Sequence, residues 1–244
     1  MRKLLLASVA FGVLAALPGA ALADGGMMSS ADGIDWTGIY LGVRGGGTFG
    51  TVDVNERGSA YNGPPPFSHS TRGFNAAVQG GYNWQFGDFV VGAEGELGYF
   101  GMNGDQQYPP YIGVRLPSDS RASSDGGVFA TVTGRGGVLW NDNWLFFVKG
   151  GFAAADLTVH YIDDDPTGLI LVSGTQKRAF QTGYTGGGGI EFMLPSGHTS
   201  VRLEYDYYDF GNIAHTAKDQ FGGAWTFNHD ITSQSFTASV TFHW

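Results

Sequence analysis

The last twelve residues of the chain alternate strictly from Ser233 to Trp244. Phe236, Ala238, Val240, Phe242 and Trp244 are apolar, and Ser235, Thr237, Ser239, Thr241 and His243 between them are polar. Successive side chains of a strand point to opposite faces, so the pattern predicts a strand with one oily and one polar face. A tilted strand crosses a bilayer in about 9–11 residues. The apolar face must therefore meet either a packed core or lipid.

The same alternation recurs seven times upstream. Residues 36–50 set Ile39, Leu41 and Val43 against Tyr40, Gly42 and Arg44, and residues 74–86 set Phe74, Val78, Tyr82, Trp84 and Phe86 against Asn75, Gln79 and Asn83. A third strand begins at Phe89 and opposes Val91, Leu97 and Tyr99 to Glu94 and Glu96; residues 128–140 oppose Val132, Val138 and Trp140 to Thr131, Thr133 and Arg135. From Trp144 onward Phe146, Val148 and Phe152 oppose Lys149. Residues 180–194 oppose Tyr184, Ile190 and Phe192 to Thr185 and Glu191, and the next segment opposes Val201, Leu203 and Tyr205 to Arg202, Glu204 and Asp206. With the terminal segment this makes eight strands.

Connections alternate too. Gly87-Asp88, Asn141 to Asn143 and Pro195 to His198 are short and rich in turn residues, whereas 51–73, 102–127, 160–179 and 211–232 are long. Short turns on the periplasmic side, long loops outside and an even strand number are the marks of an outer-membrane barrel. The expected fold is all-β: an eight-stranded antiparallel transmembrane β-barrel with short periplasmic turns and four long extracellular loops. Tyr82, Trp84, Phe86, Phe89, Trp140 and Trp144 flank the short turns as an aromatic girdle.

A soluble eight-stranded cup would invert the faces, and the charges decide between the two. Arg44, Glu94, Glu96, Arg135, Lys149, Glu191, Arg202, Glu204 and Asp206 all fall on the polar face, four basic and five acidic. They are too sparse to cover a soluble exterior, yet gathered inside a narrow barrel they can neutralise one another. Charged residues are only 14% of the chain, against about 25% in ordinary soluble domains. Eight strands leave an interior that side chains just fill, so the nine charges are expected to form a structural salt-bridged plug, with a narrow ion path as the alternative.

The amino terminus reads as an export signal: basic Arg2 and Lys3, an apolar run to Leu17, then Pro18-Gly19 and Ala21-Leu22-Ala23, with cleavage expected after Ala23. Residues 1–23 are the expected signal peptide, 24–35 a flexible periplasmic leader and 36–244 the barrel. The net charge of −9 weighs against nucleic-acid binding, and there is no cysteine.

Candidate sites outside the barrel wall are few. His69, His160, His215 and His229 fall in segments read as outer loops, where they could contact haem iron or a transition metal, although none pairs with another at a ligand-like spacing on one strand. Asp163-Asp164-Asp165 could help hold calcium, but reads better as a solvated tip. The glycines Gly186 to Gly189 lie within a strand and lack the following helix of a phosphate loop. Gly-Lys-Ser/Thr, His-Glu-x-x-His and Gly-x-Ser-x-Gly are absent, and neither enzyme activity, cofactor nor resident metal is expected. Pro64 to Pro66 and Pro109-Pro110, beside Tyr61, Phe67, Tyr108 and Tyr111, read as stiff contact-making loops.

The Trp36-Thr37-Gly38-Ile39-Tyr40-Leu41-Gly42 opening, the Gly80-Gly81-Tyr82-Asn83-Trp84-Gln85 strand ending and the aromatic-terminated last strand resemble the small outer-membrane β-barrel proteins of Gram-negative bacteria, in particular the major outer-membrane and immunogenic surface proteins related to the OmpA transmembrane domain. The resemblance covers 36–244. It implies outer-membrane location among lipid and lipopolysaccharide, a role in envelope integrity, surface antigenicity, and handling by the barrel assembly machinery through Ser233 to Trp244. Members usually end in Phe, and this chain ends in Trp244. Capture of haem or a host ligand by the loops, and a small diffusion channel, are the rival readings.

Overall fold

A computed structural model describes residues 34–58, 67–107, 121–164, 171–218 and 224–244. The expected signal segment, most of the leader, Tyr61, the two proline runs, Tyr108, Tyr111 and Asp165 lie outside the described residues. Ten strands form: β1 Gly38–Gly58, β2 Phe67–Phe86, β3 Phe89–Phe100, β4 Gly104–Gln107, β5 Arg121–Asp125, β6 Val128–Trp140, β7 Trp144–Asp164, β8 Leu171–Met193, β9 Thr199–Lys218 and β10 Ala224–His243.

Eight of them close a ring. The antiparallel order runs β1-β2-β3-β6-β7-β8-β9-β10, and β10 returns to β1 from Tyr40↔His243 upward. Closure leaves no unpaired sheet edge around this part of the molecule, which is what a spanning sheet needs where no water can satisfy the backbone. The Trp244 N–H adds a last bond to the Ile39 carbonyl at 3.0 Å. The strands β4 and β5 pair with each other, β5 pairs with β7, and Asn103 bridges to Arg72, so they prolong the β3–β6 side of the wall.

The two faces separate as the alternation predicts. Ile39, Leu41, Phe74, Val78, Phe86, Val132, Val148, Phe152, Leu203, Phe236 and Phe242 all point outward and are between 50% and 73% exposed. The nine charges of the opposite face are all buried. Such an oily exterior around a charged interior is the reverse of a soluble cup and fits lipid.

Turn chemistry matches the short connections. Asn141 and Asp142 both take positive φ (53° and 52°), a turn that suits the twist of a hairpin, and Gly87 supplies φ +61° beside Asp88. The long connections differ from expectation: much of each is strand. The β7–β8 ladder reaches Asp164↔Leu171, β9–β10 reaches Lys218↔Ala224, and β1–β10 reaches Gly58↔Trp225. Their outward positions turn polar above the apolar band, so the strand signal fades in the sequence while the hydrogen-bonded ladder continues.

One seam parts within this extension. The β8–β9 ladder stops at Tyr184↔Asp209, whereas β8 stays with β7 and β9 with β10. At that level β9 bulges: Ile231 pairs with Gly211 and Thr232 with Asp209, leaving Phe210 as the extra residue, and Gly211 takes φ +66°. The Asp209 carboxylate accepts from the Gly211 N–H (2.9 Å) and the Tyr184 hydroxyl (2.7 Å). Beyond the bulge side chains span the gap, Gln181 donating to the Phe210 and Asn212 carbonyls and Lys177 to that of Ala214. The extra residue also switches the inward parity of β9 from Phe210 to Ile213, both buried.

Candidate functional site

The interior is the only place where the described residues gather many ionisable groups. Because β-strand positions alternate and the ring is narrow, inward charges from six strands converge at one level. Arg44 of β1 donates to Glu96 (2.5 Å), Glu204 (2.8 Å) and Asp206 (2.7 Å). The Lys149 ammonium of β7 lies 2.7 Å from both Glu96 and Glu204, 3.2 Å from Glu94 and 3.6 Å from Asp206. Arg135 of β6 reaches Glu191 at 2.7 Å; Arg202 of β9 reaches Glu94 at 2.6 Å and Glu191 at 3.1 Å. All nine residues singled out in the sequence thus stand in one network.

Three further members were not singled out with the nine. Tyr40 donates to Glu94 at 2.8 Å, and Ser200 donates to Glu191 at 2.6 Å while lying 2.9 Å from His243 Nε2. The His243 ring lies 3.5 Å from the Glu191 carboxylate. Its inward parity with Thr241 was the available signal. The guanidinium carbons of Arg135 and Arg202 lie 4.5 Å and 5.2 Å from the Phe147 ring centre, so the cations are also held by aromatic faces.

Apolar layers close the network at both ends. At the short-turn end Trp36, Val90, Leu145, Phe147 and Met193 pack together, with Ile34 and Leu139 against them. Trp36 was expected at the start of the first strand; it instead precedes β1 and lies across the mouth. Its indole N–H donates to the Asp142 carbonyl at 2.8 Å, its backbone N–H donates to Gln85 Oε1 at 2.8 Å, and its ring meets His243 edge-on at 5.7 Å. Burial of a large apolar ring with its N–H satisfied outweighs a place in the outer girdle.

On the far side Phe100, Phe129, Tyr208 and Phe210 form an aromatic layer with centroid separations of 5.0 to 6.5 Å. Above it Val52, Val54, Met102, Leu157, Val159, Ile213 and Ile231 continue one apolar cluster. The half toward the long hairpins is thus mixed: aliphatic residues on the inward parity of these strands pack together, while Thr71, Ser124 and Ser233 are buried on the same side.

The four histidines lie on strands rather than in loops. His69 belongs to β2 and His229 to β10, and both are buried, at 2% and 1% exposure. His69 Nε2 is 3.2 Å from the Ser124 hydroxyl. His160 belongs to β7, with Nε2 3.6 Å from Asp125, and His215 belongs to β9. Among the described residues no three His, Cys, Asp or Glu side chains are grouped to hold a metal ion. Asp163 and Asp164 end β7.

A closed ring with an oily outside, a neutralised interior and apolar seals defines an integral outer-membrane barrel. The chain belongs to the outer membrane protein beta-barrel domain family, whose model matches residues 10–243. It is 30% identical over 207 residues to a 22 kDa outer membrane protein of Rhizobium leguminosarum bv. viciae, covering 85% of this chain and 78% of that one. It is also 27% identical over 225 residues to the 31 kDa outer-membrane immunogenic protein of Brucella melitensis, covering 86% and 88%. Among solved structures, OprG from Pseudomonas aeruginosa aligns with a TM-score of 0.46 at 15% identity, over 85% of this chain and 97% of that one.

Proposed function

We propose that this outer-membrane protein is non-enzymatic: it supports the envelope mechanically and presents its long hairpins at the cell surface as antigenic or adhesive elements. The observation that carries this reading is the sealed interior, a matched charge layer between two apolar plugs. Such a filling suits a rigid wall element and weighs against a diffusion channel, because an ion would have to pass the Trp36 and Phe100 layers without water or a counter-charge. Burial of His69 and His229 weighs against their taking a haem from outside. The immunogenic name of the Brucella relative is in keeping with surface display.

In this reading residues 1–23 are cleaved on export, both mature termini face the periplasm, the hairpin end faces outward, and Ser233 to Trp244 is the segment the barrel assembly machinery engages. Deletion of the gene followed by detergent challenge is the deciding experiment. Heightened sensitivity, restored by the wild-type copy, is expected; wild-type resistance would refute the envelope role. In planar bilayers the purified barrel should carry no current, and stepwise conductance would refute the sealed interior. Haemin titration of the refolded barrel should give no saturable Soret shift.

A further inference from the structure

The outward face changes from apolar to polar along one contour. On β1 the change falls between Phe49 and Thr51, on β2 between Phe74 and Arg72, and on β10 between Phe236 and Gln234. Phe49, Phe74 and Phe236 are 50% to 59% exposed, as lipid-facing rings are. Register brings these strands together just above the contour: Phe49 faces Arg72 on one side and Gln234 on the other, and Thr51 faces Ser70 and Thr232. The result is a shallow groove of ≈ 260 Å³ over Phe49, walled by Thr51, Ser70, Arg72, Thr232 and Gln234.

Two outward acids at this level have side-chain partners. On the opposite side of the barrel the Asp156 carboxylate takes two bonds from Arg178 Nε (2.9 and 2.8 Å), and Asp209 is taken by Tyr184. Arg72 is outward and exposed, and no carboxylate of the described residues pairs with it. β4, which meets Arg72 through the Asn103 bridge, carries Asp105 two residues farther on; along β10, β1 and β2 the nearest outward acids, Asp53 and Asp230, face each other in the Ser68 row. That row is four residues farther out along β2, or about 13 Å at a strand's rise, beyond a physiological screening length of about 8 Å. An unpaired guanidinium, three hydroxyls and an amide in a groove at the lipid boundary suit a phosphate, which a guanidinium binds through paired N–H donors. Basic pockets at a membrane surface recognise lipid headgroups by the same chemistry.

We propose that the β10–β1–β2 groove binds a phosphate of an outer-leaflet glycolipid of the lipopolysaccharide class, with Arg72 as its anion-binding residue and the acyl chains lying along Phe49, Phe74 and Phe236. This rests on the outward orientation of the hairpin end given above. It singles out one side of the wall as the place where the barrel holds a particular lipid.

The test uses the full mature barrel refolded into phosphatidylcholine vesicles containing diphosphoryl lipid A, or the same lipid stripped of its phosphates, with lipid retention read by native mass spectrometry after detergent extraction. Wild type should retain diphosphoryl lipid A and lose it when the phosphates are absent. Arg72→Gln should retain about five- to tenfold less, the loss expected when one interfacial cation is removed; Arg72→Lys should retain an intermediate amount, and Arg178→Gln should match wild type. Inorganic phosphate in the buffer should not compete, because it lacks the chains that lie on the aromatic rings. Equal retention by wild type and Arg72→Gln, retention without phosphates, or full displacement by inorganic phosphate would each overturn the site while leaving the envelope reading standing. Failure of the wild-type barrel to enter any vesicle would overturn both.

Discussion

Removing the ammonium at the centre of the charge layer is the most searching perturbation of this fold. Lys149 lies within 3.6 Å of four carboxylates. At an effective dielectric of about 20, each such pair carries roughly 5 kcal/mol of attraction, offset by several kcal/mol for taking each ion out of water. Lys149→Met keeps the stem and deletes the charge, leaving three guanidiniums among five carboxylates. Truncating one partner of a buried network costs about 3–5 kcal/mol, because the survivors stay buried. For a chain of this length that corresponds to a fall of about 6–20 °C in the midpoint of unfolding. The assay is heat modifiability: folded and unfolded barrel migrate differently on gels, and the temperature at which one converts to the other is read across a series. A second variant sharpens the reasoning. Lys149→Met combined with Glu204→Gln removes one charge of each sign, and should recover part of the loss, with a coupling of about 0.5–3 kcal/mol. A single variant within about 2 °C of wild type, less than 1 kcal/mol at this size, would refute the idea that the charge layer holds the barrel together. So would strict additivity in the double.

Three further outcomes follow from the same structure. A Cβ on Gly46 would collide with the Phe236 carbonyl oxygen, while one on Gly134 would meet nothing within 4 Å; Gly46→Ala should lower the gel midpoint by an amount equivalent to about 1–3 kcal/mol and Gly134→Ala should leave it nearly unchanged. Gly211→Val places a β-branched residue at φ +66° in the β9 bulge, at a cost of about 1–2 kcal/mol, and protease accessibility of the β8–β9 seam should rise. Trp36→Ala empties the short-turn mouth and should cost about 3–5 kcal/mol, read as a lower midpoint together with increased quenching of Phe147→Trp fluorescence by acrylamide.

The membrane-crossing part of the fold was legible because both faces speak at once there. Val78 beside Gln79, or Leu203 beside Arg202 and Glu204, can satisfy only one strand orientation, and the scarcity of charge chooses lipid for the oily side. The candidate charge layer was legible for the same reason: inward parity collects Arg44, Glu94 and Lys149 from distant segments. Above the apolar band the signal weakened. Val52, Leu157 and Ile213 keep the inward parity, but their outward neighbours Thr51, Asp156 and Asn212 are polar, so the segments resemble loops. The aliphatic upper layer was hidden in them, and the histidines His69 and His229 with it. Trp36 could not be placed from periodicity because it precedes the first ladder bond; its position is set by Asp142 and Gln85, far away in the chain.

Sorted by hairpin, the inward charges have a consequence for assembly. The pair β2–β3 brings Glu94 and Glu96, net −2; β6–β7 brings Arg135 and Lys149, net +2; β8–β9 brings three carboxylates and one guanidinium, net −2; and the closing pair β10–β1 brings Arg44, net +1. Around the circle the signs run minus, plus, minus, plus. Each piece therefore attracts both of its proper neighbours and repels the piece across from it, so a hairpin arriving out of turn meets its own sign. The circular order of the wall is written in polarity before any backbone bond between hairpins has formed.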